Sequence, residues 1–260
     1  MGKAGKLFRA LKSVLSNPSL LNHVLDDNER WRKRVEAEFP EIKQLPVIEL
    51  FDVISRDFNT VSPYSFLSGG SMPTDLLLLK GLAGKFDKCR YFEIGTWRGE
   101  SVANVSAVAE TCVTVDLPES EKRKLGLGDD YIQEYARYSA KIPNIEHLQI
   151  NTKVLDFTAQ GKFDLVFIDG DHHYEAIVHD TTKVLQNLLH EKSIIVWHDY
   201  AFHPEQIRYE TLKAILDSVP KQFHSRLYFV KNTLCAVYLP EFQKNQEMRY
   251  NFFTVKINPE

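Results

Sequence analysis

The sequence predicts an α/β protein of the Rossmann-like, doubly wound kind. It should have a mostly parallel seven-stranded sheet, an antiparallel C-terminal hairpin and an N-terminal helical extension. Three observations carry that expectation. Between residues 89 and 219, short apolar runs alternate with amphipathic stretches at β-α spacing. The first run empties into a glycine-bearing turn, Glu93-Ile94-Gly95-Thr96-Trp97-Arg98-Gly99, and leaves it as a helix. Two later runs, 226–230 and 234–239, are joined only by Lys231-Asn232-Thr233, a link that suits a hairpin and is too short for a helical crossover.

Taken in order, residues 1–62 read as a helical extension. Leu7, Phe8, Leu11 and Leu15 share one helical face, and Lys3, Lys6, Arg9 and Lys12 supply charge with no acid before Asp26. Such a helix either makes weak contact with an anionic membrane surface or a partner, or packs on the main domain with its charges in water. Pro18 breaks the pattern, with Asn17 or Ser19 as a cap for the next segment, and a second helix over 27–38 stops at Pro40. A loop over 62–72 precedes a helix at 73–83, started by Pro73 and Asp75. The main domain, 63–240, then reads strand 89–94, helix 101–109, strand 112–115, helix 131–139, strand 145–150, strand 163–168, helix 176–189, strand 193–197 and helix 210–219. The run Phe163–Ile168 is continuously apolar, as a strand buried on both faces should be. The tail, 241–260, could add a strand.

With 260 residues, 43% hydrophobic and 26% charged, the chain has ordinary globular composition. A net charge of −3 gives no sign of a nucleic-acid partner. Cys89, Cys112 and Cys235 are odd in number and far apart, which fits a reducing compartment, and Cys112 and Cys235, inside apolar runs, read as buried thiols. No run of 18 apolar residues and no secretory pattern occurs, so a cytoplasmic protein is expected. A homo-oligomer is left open.

The turn after the first strand is where a ligand should sit. Glycine permits a tight turn and close approach, and the following helix N-terminus offers free N–H donors. Asp116 ends the second strand, where a carboxylate can accept both hydroxyls of a ribose. A nucleotide-cofactor oxidoreductase shares this logic, but its GxGxxG fingerprint fails against Gly95, Trp97 and the charged Glu100. Glu93 projects an acid toward the site, unwelcome beside a pyrophosphate and useful near a cationic amino-acid ligand. A non-catalytic binding module is the other alternative. Acids and histidines at two strand ends, Asp169, Asp171, His172 and His173 after the fourth and His198 and Asp199 after the fifth, argue against it.

Glu93-Ile94-Gly95-Thr96-x-x-Gly99-x-Ser101, with Asp116, Phe167-Ile168-Asp169-Gly170-Asp171-His172-x-Tyr174-Glu175 and His198-Asp199-Tyr200, resembles the class I S-adenosylmethionine (SAM) dependent methyltransferases. More narrowly, it is similar to macrocin-type sugar O-methyltransferases and cephalosporin-hydroxylase-like proteins, over about residues 70–240. The resemblance implies methyl transfer from SAM to a hydroxyl of a sugar or small natural product. It implies that Glu93, Gly95 and Gly99 line the methionine end of SAM with Ser101 nearby, and that Thr96 and Asp169 also belong to the cofactor site. Asp116 would bind ribose, and Asn151 and Thr152 would lie beside adenine. Some relatives hold Mg²⁺ through an acid after the fourth strand and an acidic pair after the fifth. Here the pair is His198-Asp199, so the candidates for a Mg²⁺ or Mn²⁺ site are Asp169, Asp199 and His198. Without a metal, His172 or His198 is the general-base candidate. Asp171 could instead cap the next helix and Asp169 hold a loop. His23, His147, His179, His190, His203 and His224 read as structural. Trp97 could shape the pocket or cover an apolar edge, and Tyr64, Met72 and Tyr200 are guessed to face a substrate.

Overall fold

A computed structural model describes residues 2–16, 27–67, 69–242 and 255–259. Pro18, its neighbouring caps and His23 lie outside the described residues. The chain divides into two compact units, 1–43 and 44–260. In the first, α1 (Lys3–Ser16) has no buried side chain, and α2 (Asp27–Glu38) is ringed with charge, including an Arg32–Glu29 pair at 2.7 Å. No described helix is long and apolar enough to cross a membrane.

The second unit begins inside the segment read as a helical extension. It opens with β1 (Val47–Ile48), α3 (Leu50–Val53) and β2 (Thr60–Tyr64) before α4 (Pro73–Ala83). The extension is therefore not helical throughout. β1 has two residues and β2 contains a proline, so neither shows the alternation that marks a strand in sequence. Next come β3 (Arg90–Ile94), α5 (Glu100–Ser106), β4 (Thr111–Asp116), α6 (Glu119–Lys124), α7 (Asp129–Gln133), β5 (Ile145–Gln149), β6 (Phe163–Ile168), α8 (Tyr174–Asn187), β7 (Leu189–Trp197), β8 (Ala201–His203), β9 (Gln206–Ile207), α9 (Tyr209–Ser218), β10 (Leu227–Val230), β11 (Ala236–Tyr238) and β12 (Lys256–Pro259).

The main sheet has the order β1-β10-β11-β7-β6-β3-β4-β5. It is Rossmann-like and mostly parallel, as expected, but has eight strands, because β1 adds an edge beside β10. The expected hairpin is present, and β11 runs antiparallel to both β10 and β7. In the tail, β12 pairs with β2 in a separate two-stranded sheet.

The core explains the layers. Tyr91, Leu165, Phe167 and Val196 cluster with the leucines of α4 and with Val102 and Val105 of α5. Their alternates Phe92, Val166 and Ile195, equally buried, point to the other face, as strand geometry requires. There α8 and α9 pack together, each burying an aliphatic stripe. The helix expected over 131–139 is cut short. Ala136 takes a left-handed φ of 54°, and the amides of Ala136 and Tyr138 donate to the carbonyls of Trp97 and Arg98. Tertiary bonds to the glycine turn thus replace helical ones in this stretch.

Candidate active site

Strand β3 delivers the chain to Gly95, whose φ is +102°. A side chain there would place Cβ 2.0 Å from the Asp169 carbonyl oxygen, so only glycine lets this turn lie against the end of β6. Gly99, at φ +78°, lies equally close to Ser139, where a Cβ would come within 2.1 Å of Oγ. Trp97, also left-handed at φ 37°, stacks on Tyr131 at 5.1 Å and has the Arg98 guanidinium 4.0 Å from its ring, so it shapes the wall. The turn borders a cavity of about 810 Å³ that also reaches Asp116, Asn151, Thr152, Asp169 and His172. That volume suits a nucleoside-sized ligand.

Glu93 does not project into this cavity. It has no exposed surface, and its carboxylate accepts the Tyr91 hydroxyl at 2.6 Å and the Thr114 hydroxyl at 2.8 Å. Thr114 in turn meets Thr96 at 2.7 Å. Glu93 therefore holds the turn from beneath, because it shares a strand face with Tyr91 and lies opposite Thr114. Burial pushes its carboxyl up to about 7, against hydrogen bonds from Tyr91, Ser101 and Thr114.

Asp116 stands at the end of β4 as expected, but its carboxylate already has protein partners. Its Oδ2 accepts from Lys122 Nζ at 2.7 Å and from the Trp97 amide at 3.1 Å, while Oδ1 accepts from the Leu117 amide at 2.7 Å. Lys122 is 3% exposed and sits 4.5 Å over the Tyr135 ring. Asn151 donates to Glu121 at 2.5 Å. Asp180, on α8, is a cavity residue that sequence reasoning misses. It is 4% exposed, and its Oδ1 has no hydrogen-bond partner among the described residues. Burial lifts its carboxyl to about 6.

The acids and histidines of β6 and β7 converge as expected, around a further acid that reads in sequence only as a helix-start residue. His198 Nδ1 lies 3.0 Å from Asp169 and 3.7 Å from Asp199, and Nε2 lies 3.2 Å from Asp75. Asp75 is fully buried and also accepts the Met72 and Leu234 amides at 2.7 and 2.8 Å. Burial works against a charge on His198, yet Asp169, Asp199 and Asp75 raise its pKa well above the ordinary value. That direction favours the protonated ring, which has no lone pair with which to take a proton from a substrate. Burial raises Asp169 against the opposing charge of His198. Asp199, left-handed at φ 54°, resists burial through His198 and Arg208 and is held down to about 2. His172 differs. Its half-exposed ring has Nδ1 3.9 Å from Asp199, and burial with the Arg208 charge lowers its pKa. It is neutral near pH 7 and borders the cavity.

The one nitrogen and two carboxylate oxygens of Asp169, His198 and Asp199 all lie within 4.8 Å of one another. Among the other predicted residues, Asp171 accepts the His173 amide at 3.0 Å and so closes a turn ahead of α8 rather than capping it, since the N-cap position is His173. Tyr200 is buried and its hydroxyl takes the Leu45 amide at 3.0 Å, so it faces no substrate. Tyr64 packs edge-on to Phe66, and neither it nor Met72 borders the cavity. His147, His190 and His224 hold structural bonds, while His179 borders the cavity near the Thr152 carbonyl. The three cysteines are buried free thiols.

Residues 92–200 match the family model described as a methyltransferase domain. An uncharacterized protein of Acanthamoeba polyphaga mimivirus is 26% identical over 136 residues, which cover 47% of this chain and 58% of that protein. This chain thus spans little more than half the length of that relative. An O-methyltransferase from Bacillus cereus in complex with SAH is 14% identical at a TM-score of 0.46, with 66% of this chain and 82% of that one covered. An SAH-bound methyltransferase of Podospora anserina is 14% identical at a TM-score of 0.45, with 86% and 96% covered. Residues 92–200 are thus similar to a methyltransferase domain. Every predicted site residue from Glu93 to Asp199 lies within the matched span, and Asp75 lies outside it.

The raised Glu93 carboxyl makes stability depend on pH. The folded state binds this proton more tightly than the unfolded chain, so stability falls as pH rises from roughly 4.5 to about 7 and is flat beyond. The loss is about 3 kcal/mol. Glu93→Gln should remove that slope, measured as the difference between wild-type and variant urea midpoints across pH 4.5–8. Parallel curves would mean that Glu93 titrates as an ordinary surface acid.

Proposed function

We propose that this chain is an enzyme that transfers a methyl group from SAM to a hydroxyl oxygen of a sugar or small natural product. The observation that carries this reading is the contact of Gly95 with Asp169. It makes the cofactor turn and the Asp/His cluster two walls of one cavity. SAM supplies the methyl on a sulfonium, so its departure needs no acid from the protein. The chain's own task is to align the acceptor oxygen, exclude water and take the hydroxyl proton. His172 suits the last role, because its pKa is lowered and its half-exposed ring borders the cavity.

The cluster also fits a divalent cation. Asp169, Asp199 and Nδ1 of His198 would be the ligands, and Asp75 would accept the Nε2–H as the outer carboxylate that orients a ligating imidazole. Two carboxylates and an imidazole favour Mn²⁺ over Mg²⁺. Such an ion would supply positive charge that eases loss of the acceptor's proton. It competes with the Nδ1 proton of His198 for the same lone pair.

Calorimetry should show SAM binding and no NADH binding, and the reverse pattern would overturn the cofactor assignment. His172→Asn should lower kcat by about 10²–10⁴-fold with SAM affinity unchanged. A variant turning over at the wild-type rate would remove His172 as the base.

EDTA should abolish turnover, Mn²⁺ should restore it, and Asp75→Asn should weaken Mn²⁺ by about 10–100-fold. Full activity after chelation would leave His198 as a purely internal cation.

A further inference from the structure

Methyl transfer gives α1 no task. At about 100° per residue, its Val14, Leu7, Leu11, Leu15 and Phe8 fall within an arc of about 120°. Lys12, Arg9, Lys6 and Lys3 occupy the rest of the circumference. The large apolar side chains are open to solvent: Leu7 is 63%, Phe8 74%, Leu11 53% and Leu15 81% exposed. Four neighbouring residues of this size facing water are unusual in a helix whose other side is already well solvated.

Charge is segregated in the same place. Residues 1–25 hold four cations and no acid, a balance of +4, so the rest of the chain carries −3 − 4 = −7. A helix with an apolar arc and a cationic arc matches one environment on both counts, the boundary between acyl chains and anionic headgroups. There the leucines and Phe8 leave water while Lys and Arg stay among the phosphates. An acidic protein would satisfy the cations but would need its own apolar groove for four large side chains. We propose that α1 is a membrane-surface anchor that lays its apolar arc into an anionic phospholipid bilayer. Its 14 residues make binding weak and reversible, a means of concentrating the enzyme at a surface rather than fixing it there.

The full-length protein should be sedimented with vesicles of phosphatidylcholine alone and with about 30% phosphatidylserine added. Binding should be at least about tenfold stronger on the anionic vesicles and should fall as salt rises toward about 0.5 M. Leu11→Glu, which keeps the four cations and breaks the apolar arc at an exposed site, should abolish it while SAM affinity stays at the wild-type value. Equal binding to both vesicles, or none, overturns the proposal. So does concentration-dependent self-association that Leu11→Glu removes, which would give this face to a second copy of the chain. Since SAM affinity is read separately, failure of the anchor and failure of the methyltransferase reading are distinguishable.

Discussion

The end of β3 must touch the end of β6, and the rest of the site depends on that contact. Asp169 donates its amide to the Ile94 carbonyl at 2.8 Å, and its own carbonyl stands where a side chain on Gly95 would be. An alanine at that position would have to separate the two strand ends. The turn carrying Thr96–Gly99 would then move away from Asp169, and a cavity with two kinds of wall would become two shallow clefts. A glycine here serves packing and chemistry together. Its positive φ makes the turn, and its missing Cβ makes the juncture.

Charge buried beside that juncture is balanced locally. Asp75 caps α4 through the Met72 amide, anchors the chain before β11 through the Leu234 amide, and accepts from His198. One carboxylate thus ties a helix start, a sheet edge and an imidazole together. Taking such a group out of water is costly unless its oxygens are satisfied, and here three donors meet it. The arrangement gives His198 one orientation, with Nδ1 directed to Asp169 and Asp199. The helix start, read in sequence as a local feature, therefore sets the geometry of the chemical end of the sheet.

That double use explains what the sequence disclosed. Period and punctuation were legible: the parallel strands, the glycine turn, Asp116 and Asp169 at strand ends, and the hairpin through Lys231–Thr233 all derive from local pattern. Side-chain direction at a strand's last residues was not. Glu93 reads in sequence as an acid aimed at ligand, but pleat alternation puts it with Tyr91 and Thr114 under the turn. Asp75 has a sufficient local explanation as a capping acid, which hides its contact with a histidine 123 residues away. Lys122 lies in the run Glu119–Lys124, where five of six residues are charged and none stands out by local pattern. Asp180 falls on α8 among residues whose period marks a buried stripe, and a lone acid there carries no motif. β1 escapes a reading by pattern because two residues are too few to show a period.

The same two acids that the ligand would meet already hold protein cations. Asp116 has Lys122, and Asp169 has His198. Both acids border the cavity, and each pair holds its carboxylate within a low-dielectric wall, where a lone charge would turn toward water or take up a proton. Ligand binding at these points is therefore exchange rather than simple addition. A ribose diol can use the one lone-pair site Asp116 has left of about four, or displace Lys122 toward its aromatic neighbours Tyr131 and Tyr135. Exchange lowers the net affinity each contact can add, but the oxygens need no reorganisation when the ligand arrives. The site gives up some binding strength for readiness, a trade that would suit a reaction in which alignment is the protein's main contribution.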